Sequence, residues 1–137
     1  MIPLPDQSLR NLSQRLMVSL LPEFGSEYAV SDAASLGLLM NALADELAEG
    51  IQRRLVDIEE MKVILARCVT LEEERAILAA DITSYTMASV NDRHDELTRL
   101  LIAWHEKSEV EDLPEVNEAI WRYLHGHAER HAITAVP

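Results

Sequence analysis

Five residues of this 137-residue chain have side chains suited to holding a metal ion and positions that could bring them together: Glu46, Glu49, His94, His127 and His131. His127 and His131 are four apart, so a helix presents both imidazoles on one face. Imidazole nitrogen combined with carboxylate oxygen is a donor set of zinc and non-haem iron sites, and helical bundles build such sites from facing helices. The Glu-x-x-His motif of ferritin-like di-iron proteins is absent. The competing reading is structural, and the sequence favours it: the His pair forms a partly buried polar edge, each ring bonded to a carboxylate or a backbone carbonyl. No cofactor is therefore demanded, and zinc or iron is the ion expected if one binds.

Other chemistry has less to stand on. The tetrapeptide His94-Asp95-Glu96-Leu97 resembles the His-Asp/Glu phosphoacceptor box of dimeric histidine-kinase helical hairpins, which would imply phosphoryl acceptance by His94. The resemblance covers these four residues and places the His on the returning helix, not the leading one. There is no phosphate-cradling Gly loop and no nucleophile elbow. Glu59-Glu60 and Glu72-Glu73-Glu74 read as solvated faces and helix caps. Cys68 reads as a small packed hydrophobe, and Arg54 as a side chain that snorkels or pairs with Asp57 one turn on or with an acid of a partner chain.

The elements that must position these groups are helices. Leu9, Leu12, Leu16 and Leu20 mark a first helix over 7–21, with Asp6 before it and Pro22 after. After a loop, Ser31 caps a long helix over 32–68, whose stripe runs Leu36, Met40, Leu43, Leu47, Ile51, Leu55, Ile58, Met61, Leu65. Thr70 and Glu73 have capping-box spacing, so the chain reverses near 69–70 into a returning helix over 71–108, with a weak spot at 91–96. An acidic turn holding Pro114 leads to a last helix over 113–131, which Gly126 threatens to end early. The fold class is all-α: one helical domain over 1–137, a long antiparallel αα-hairpin with two shorter flanking helices, resembling a four-helix bundle. In a hairpin reversing at 69–71, residues whose numbers sum to about 140 lie level, which sets Glu46 beside His94. A turn near 110–111 sets His127 level with His94, and His131 near Glu49.

At 1.5 Å per residue each arm would be roughly 55 Å long, and flanking helices of roughly 20–30 Å would cover only its open half. Leu55, Ile58, Met61, Ile64, Leu78 and Ile82 near the reversal would then remain uncovered. Apolar patches of that size mark interfaces, so these six residues are the expected seam of a homodimer. The alternative is a first helix that crosses over to cover the tip, closing a monomer.

Composition bounds the function. Twenty-four Asp and Glu against twelve Lys and Arg give a formal charge of −12, which opposes phosphate binding and hence nucleic-acid partners. No apolar run reaches membrane-spanning length, so no membrane partner is expected. One cysteine and no secretory leader fit a cytoplasmic protein. The function these features favour is a non-catalytic, homodimeric interaction or regulatory module, with another protein as a further partner. A metal-binding bundle is the alternative, and His phosphotransfer a lesser one.

Overall fold

The computed structural model describes residues 2–133 and is all-α, with no strand among them. Its helices are α1 (Pro5–Arg15), α2 (Glu27–Leu65), α3 (Glu72–Ala79), α4 (Met87–Val110) and α5 (Pro114–Arg130). No helix among the described residues is long and apolar enough to cross a membrane. The chain forms two compact units, Met1–Gly50 together with Ile133–Pro137, and Ile51–Ala132; the division falls inside α2.

In the first unit, α1 opens with Pro5, whose missing N–H costs nothing in a first turn, followed by Asp6, which suits the helix dipole. The helix widens into a π-turn over Leu16–Leu20 and tightens into a 3-10 turn over Leu21–Glu23, ending where Phe24 turns extended. The long helix α2 begins at Glu27, four residues before the Ser31 signal. Ser26 and the acidic Glu27 already furnish a start, and Val30 N–H donates to Ser26 O at 3.0 Å. Ser31 is left inside the helix, where its carbonyl accepts from Ser35 Oγ at 3.0 Å.

The contact between α1 and the N-terminal part of α2 depends on small residues. Ser13 is buried and donates its hydroxyl to Gly37 O at 2.8 Å. A Cβ at Gly37 would stand 2.6 Å from Met17 Sδ, so glycine is what lets the two helices approach. Arg10 and Asp45 close the edge at 2.7 Å. The leucines of this N-terminal part of α2 lie elsewhere: Leu36, Leu39, Leu43 and Leu47 are 52%, 56%, 47% and 58% exposed.

The second unit holds the core. Ile58, Met61, Leu65 and Cys68 pack with Val90, Leu97, Leu100, Leu101 and Trp104 of α4 and with Ile120 and Tyr123 of α5. This corrects the expectation of an uncovered tip. Ile58 and Met61 are buried by the chain itself, and Leu55, Ile64, Leu78 and Ile82 are half-buried against the same core. Six residues placed on a dimer seam are thus internal or semi-internal to one subunit.

The reason is a break in the returning arm. Instead of one rod over 71–108, α3 stops at Ala79, Ala80 turns extended, and α4 starts only at Met87. Residues 81–86, Asp-Ile-Thr-Ser-Tyr-Thr, are β-branched, aromatic or have side chains that compete for backbone hydrogen bonds, so helix is locally disfavoured. Thr86 instead caps α4, its Oγ1 accepting from Ser89 N–H at 3.3 Å. Arg93, buried on α4, donates to Leu78 O at 3.2 Å and to Glu96 at 2.7 Å, which ties the end of α3 down. The expected weak spot at 91–96 is regular helix within α4.

The reversal itself lies one residue later than its sequence signal. Leu71 occupies the cap position of α3, and Glu74, not Glu73, accepts from the backbone N–H groups of Thr70 and Leu71 at 3.2 and 3.4 Å. Between α4 and α5 the turn uses Asp112 in a left-handed conformation (φ 53°), which a short polar side chain tolerates. Gly126 does not stop α5, which continues to Arg130.

Cys68 sits just beyond α2, buried, with its thiol donating to Ile64 O at 3.2 Å. Burial pushes its pKa up, which keeps the thiolate scarce. Native protein at pH 8 is therefore expected to react with Ellman's reagent about tenfold or more slowly than the urea-unfolded chain. Equal rates would contradict the packed position of the thiol.

Candidate metal centre

Tyr123, His127 and Arg130 of α5 and His131, the residue that caps its C-terminus, fall on one face at spacings of four, three and one. That face meets Asp57 and Glu60, one turn apart on the C-terminal part of α2, and His94 of α4. The whole constellation lies within the second unit.

Asp57 is its centre. The side chain is 0% exposed, and its two oxygens do different work. Oδ1 accepts from Arg130, at 2.9 Å from Nε and 2.8 Å from Nη2. The same guanidinium reaches Glu60 at 3.0 and 2.6 Å, so one Arg clamps two carboxylates. Oδ2 faces the imidazoles: His131 Nε2 at 2.6 Å, His127 Nδ1 at 2.9 Å and His94 Nε2 at 3.4 Å. The rings pack on one another, His127 against His131 at 4.4 Å and against His94 at 5.9 Å between centroids.

The electrostatics follow from these contacts. Burial alone would raise the Asp57 pKa, but hydrogen bonds from Arg130 and His131, with the nearby His127, outweigh it and hold the carboxyl below its ordinary value. His94 is shifted down, chiefly by burial and against the pull of Asp57, which favours the neutral ring. Burial likewise pushes the Tyr123 phenol up.

Thr98 donates its hydroxyl to the carbonyl of His94 at 2.8 Å, and His94 Nδ1 lies 3.5 Å from Thr98 Oγ1. The other ring nitrogen, Nε2, is buried 3.4 Å from Asp57 Oδ2 and makes no hydrogen bond. Three ring nitrogens also converge on an oxygen with two lone pairs, so hydrogen bonding to Oδ2 cannot satisfy all three. A cation among them would. Ligand atoms of Asp57, His127 and His131 all lie within 4.8 Å of one another, compatible after small shifts with metal–ligand bonds of about 2.0–2.2 Å.

Of the five residues singled out in the sequence, the structure brings three side by side. His94, His127 and His131 come together as expected. Glu46 and Glu49 belong to the first unit, eleven and eight residues before Asp57 in the chain. The carboxylate that gathers the imidazoles is Asp57. Sequence reading missed it, together with Arg130 and Glu60, because it considered Asp57 only as one possible ion-pair partner for Arg54. One signal was available: Asp57, Met61 and Leu65 form an i, i+4, i+8 row, which puts a carboxylate in line with core residues. The phosphoacceptor reading draws no support from a His94 whose Nε2 is buried against Asp57. Comparison with family models, curated proteins and solved structures gave no match.

Proposed function

We propose that the second unit binds one first-row divalent ion, zinc or iron(II), through Asp57 Oδ2 and the imidazoles of His94, His127 and His131. The observation that carries this reading is the convergence of three ring nitrogens on one buried carboxylate oxygen, with a buried and unbonded His94 Nε2 among them. Arg130 and Glu60 act as supports, fixing the orientation of Asp57 through its other oxygen, as outer-shell partners of metal ligands do. Elemental analysis of untagged protein purified without chelator is expected to find about one zinc or iron per chain. The double variant His127→Ala, His131→Ala should lose it. Wild-type protein that takes up no zinc, iron or cobalt on reconstitution would overturn the proposal.

A second reading, self-association, is favoured by a separate observation. Leu36, Leu39, Leu43 and Leu47 form an exposed apolar stripe on the first unit's part of α2, of the kind that marks an interface. A homodimer seam there would replace the one expected at Leu55, Ile58, Met61, Ile64, Leu78 and Ile82. Light scattering at micromolar concentration should give the mass of two chains, and Leu43→Glu that of one. A wild-type mass of one chain would remove this reading while leaving the metal centre untouched.

A further inference from the structure

Catalytic zinc and non-haem iron(II) sites keep a coordination position open for water or substrate, whereas structural zinc is closed by four protein donors in a tetrahedron. Asp57, His127 and His131 by themselves would make an open site, with the two imidazoles and one carboxylate that non-haem iron(II) enzymes use. His94 decides between the two. Its Nε2 lies 3.4 Å from Asp57 Oδ2, buried and without a hydrogen bond. Two donors of a tetrahedral ion, each bonded at about 2.0–2.1 Å, stand roughly 3.3–3.4 Å apart. The His94 ring is therefore already at the spacing of a fourth ligand. Arg130 holds the other oxygen of Asp57, Oδ1, at 2.9 and 2.8 Å, which leaves this carboxylate one oxygen for the ion.

We propose that the site is a structural zinc clasp, closed by His94, that takes no substrate and ties α5 to α2 and α4. The proposal rests on the metal reading above and narrows it from zinc or iron(II) to zinc. Asp57 comes from α2, His94 from α4, His127 from α5 and His131 from its C-cap. Zinc has no geometric preference from its d-electrons and accepts this four-coordinate set. Iron(II) held there would lack the open positions that its oxygen chemistry uses. Because the donors belong to three helices, they come together only in the folded unit, and zinc binding adds directly to its stability.

Cobalt(II) substituted for zinc reports the coordination through its visible absorption. Cobalt-loaded wild type is expected to show the intense bands of a four-coordinate ion, unchanged by azide. His94→Ala should still take up about one cobalt per chain, but azide should now shift its spectrum, because the vacated position admits an outside ligand. Added imidazole, which restores the missing donor, should return the wild-type bands and block azide. Urea unfolding supplies a readout independent of colour: zinc at a hundred times its dissociation constant should lower the unfolding equilibrium constant about a hundredfold. Weak six-coordinate bands in wild type, or wild-type bands that azide shifts, would overturn the closed site and leave the metal centre standing. A His94→Ala spectrum identical to wild type, or unfolding indifferent to zinc, would overturn it equally. Absence of any cobalt uptake would overturn both readings.

Discussion

Asp57→Ala is expected to cost about 3–5 kcal/mol of folding stability even in the presence of chelator, and to abolish metal uptake. The carboxylate is fully buried, and its removal leaves Arg130 with Glu60 alone and strands three imidazoles without an acceptor. Asp57→Asn keeps the shape but not the charge, and should fall between wild type and alanine. Urea denaturation with EDTA isolates the structural part from the metal part. The pH dependence gives a second check. Because the folded pKa of Asp57 lies below 3.8, its contribution is present above that value and is lost as pH falls through the folded pKa. His94 acts in the same direction over a higher range: its folded pKa lies below 6.5, so the unfolded chain binds more protons and stability declines as pH falls below 6.5. Asp57→Ala should therefore flatten the acid limb below pH 3.8. An unchanged limb, or a loss under about 1 kcal/mol, would show that Asp57 is not the keystone of this network.

Met61→Ala should be the most damaging truncation on the face first expected to form a dimer seam. Met61 is 0% exposed within one chain, packed in the cluster that includes Leu97, Leu101 and Ile120. Removing its side chain from a filled core costs about 2–5 kcal/mol through lost burial and the cavity left behind. The decisive feature is concentration. A residue internal to one subunit destabilises equally at every protein concentration, whereas a seam residue shifts a monomer–dimer equilibrium and its effect depends on dilution. Denaturation midpoints of the variant and wild type across a hundredfold dilution series distinguish the two. A loss confined to the dilute end would restore the seam.

These expectations also show where sequence reasoning succeeded. The all-α class, the long α2 and the α4–α5 hairpin were legible because each depends on local periodicity and on turn chemistry around Pro114. The pairing of His94 with His127 was legible for the same reason: one short turn separates their helices, and counting residues back from it carries little error. The pairing of His94 with Glu46 assumed that the chain from 71 to 108 is one rod. Residues 80–86 advance without helical rise, and with the wider reversal before α3 they move α4 along α2 by eleven residues, about three helical turns. His94 consequently lands on Asp57.

Local sequence, then, settled the all-α class, the α4–α5 hairpin and which histidines share a face, because these follow from the 3.6-residue period and neighbouring caps, while the break at 80–86 escaped it. Tertiary packing alone decided which carboxylate they meet, and that the apolar residues near the reversal are covered from within. Both depend on the length of chain spent between α3 and α4, and on Arg93 holding Leu78 O across that gap. Register between distant helices accumulates every non-helical residue in between, and no periodicity within either helix records that sum.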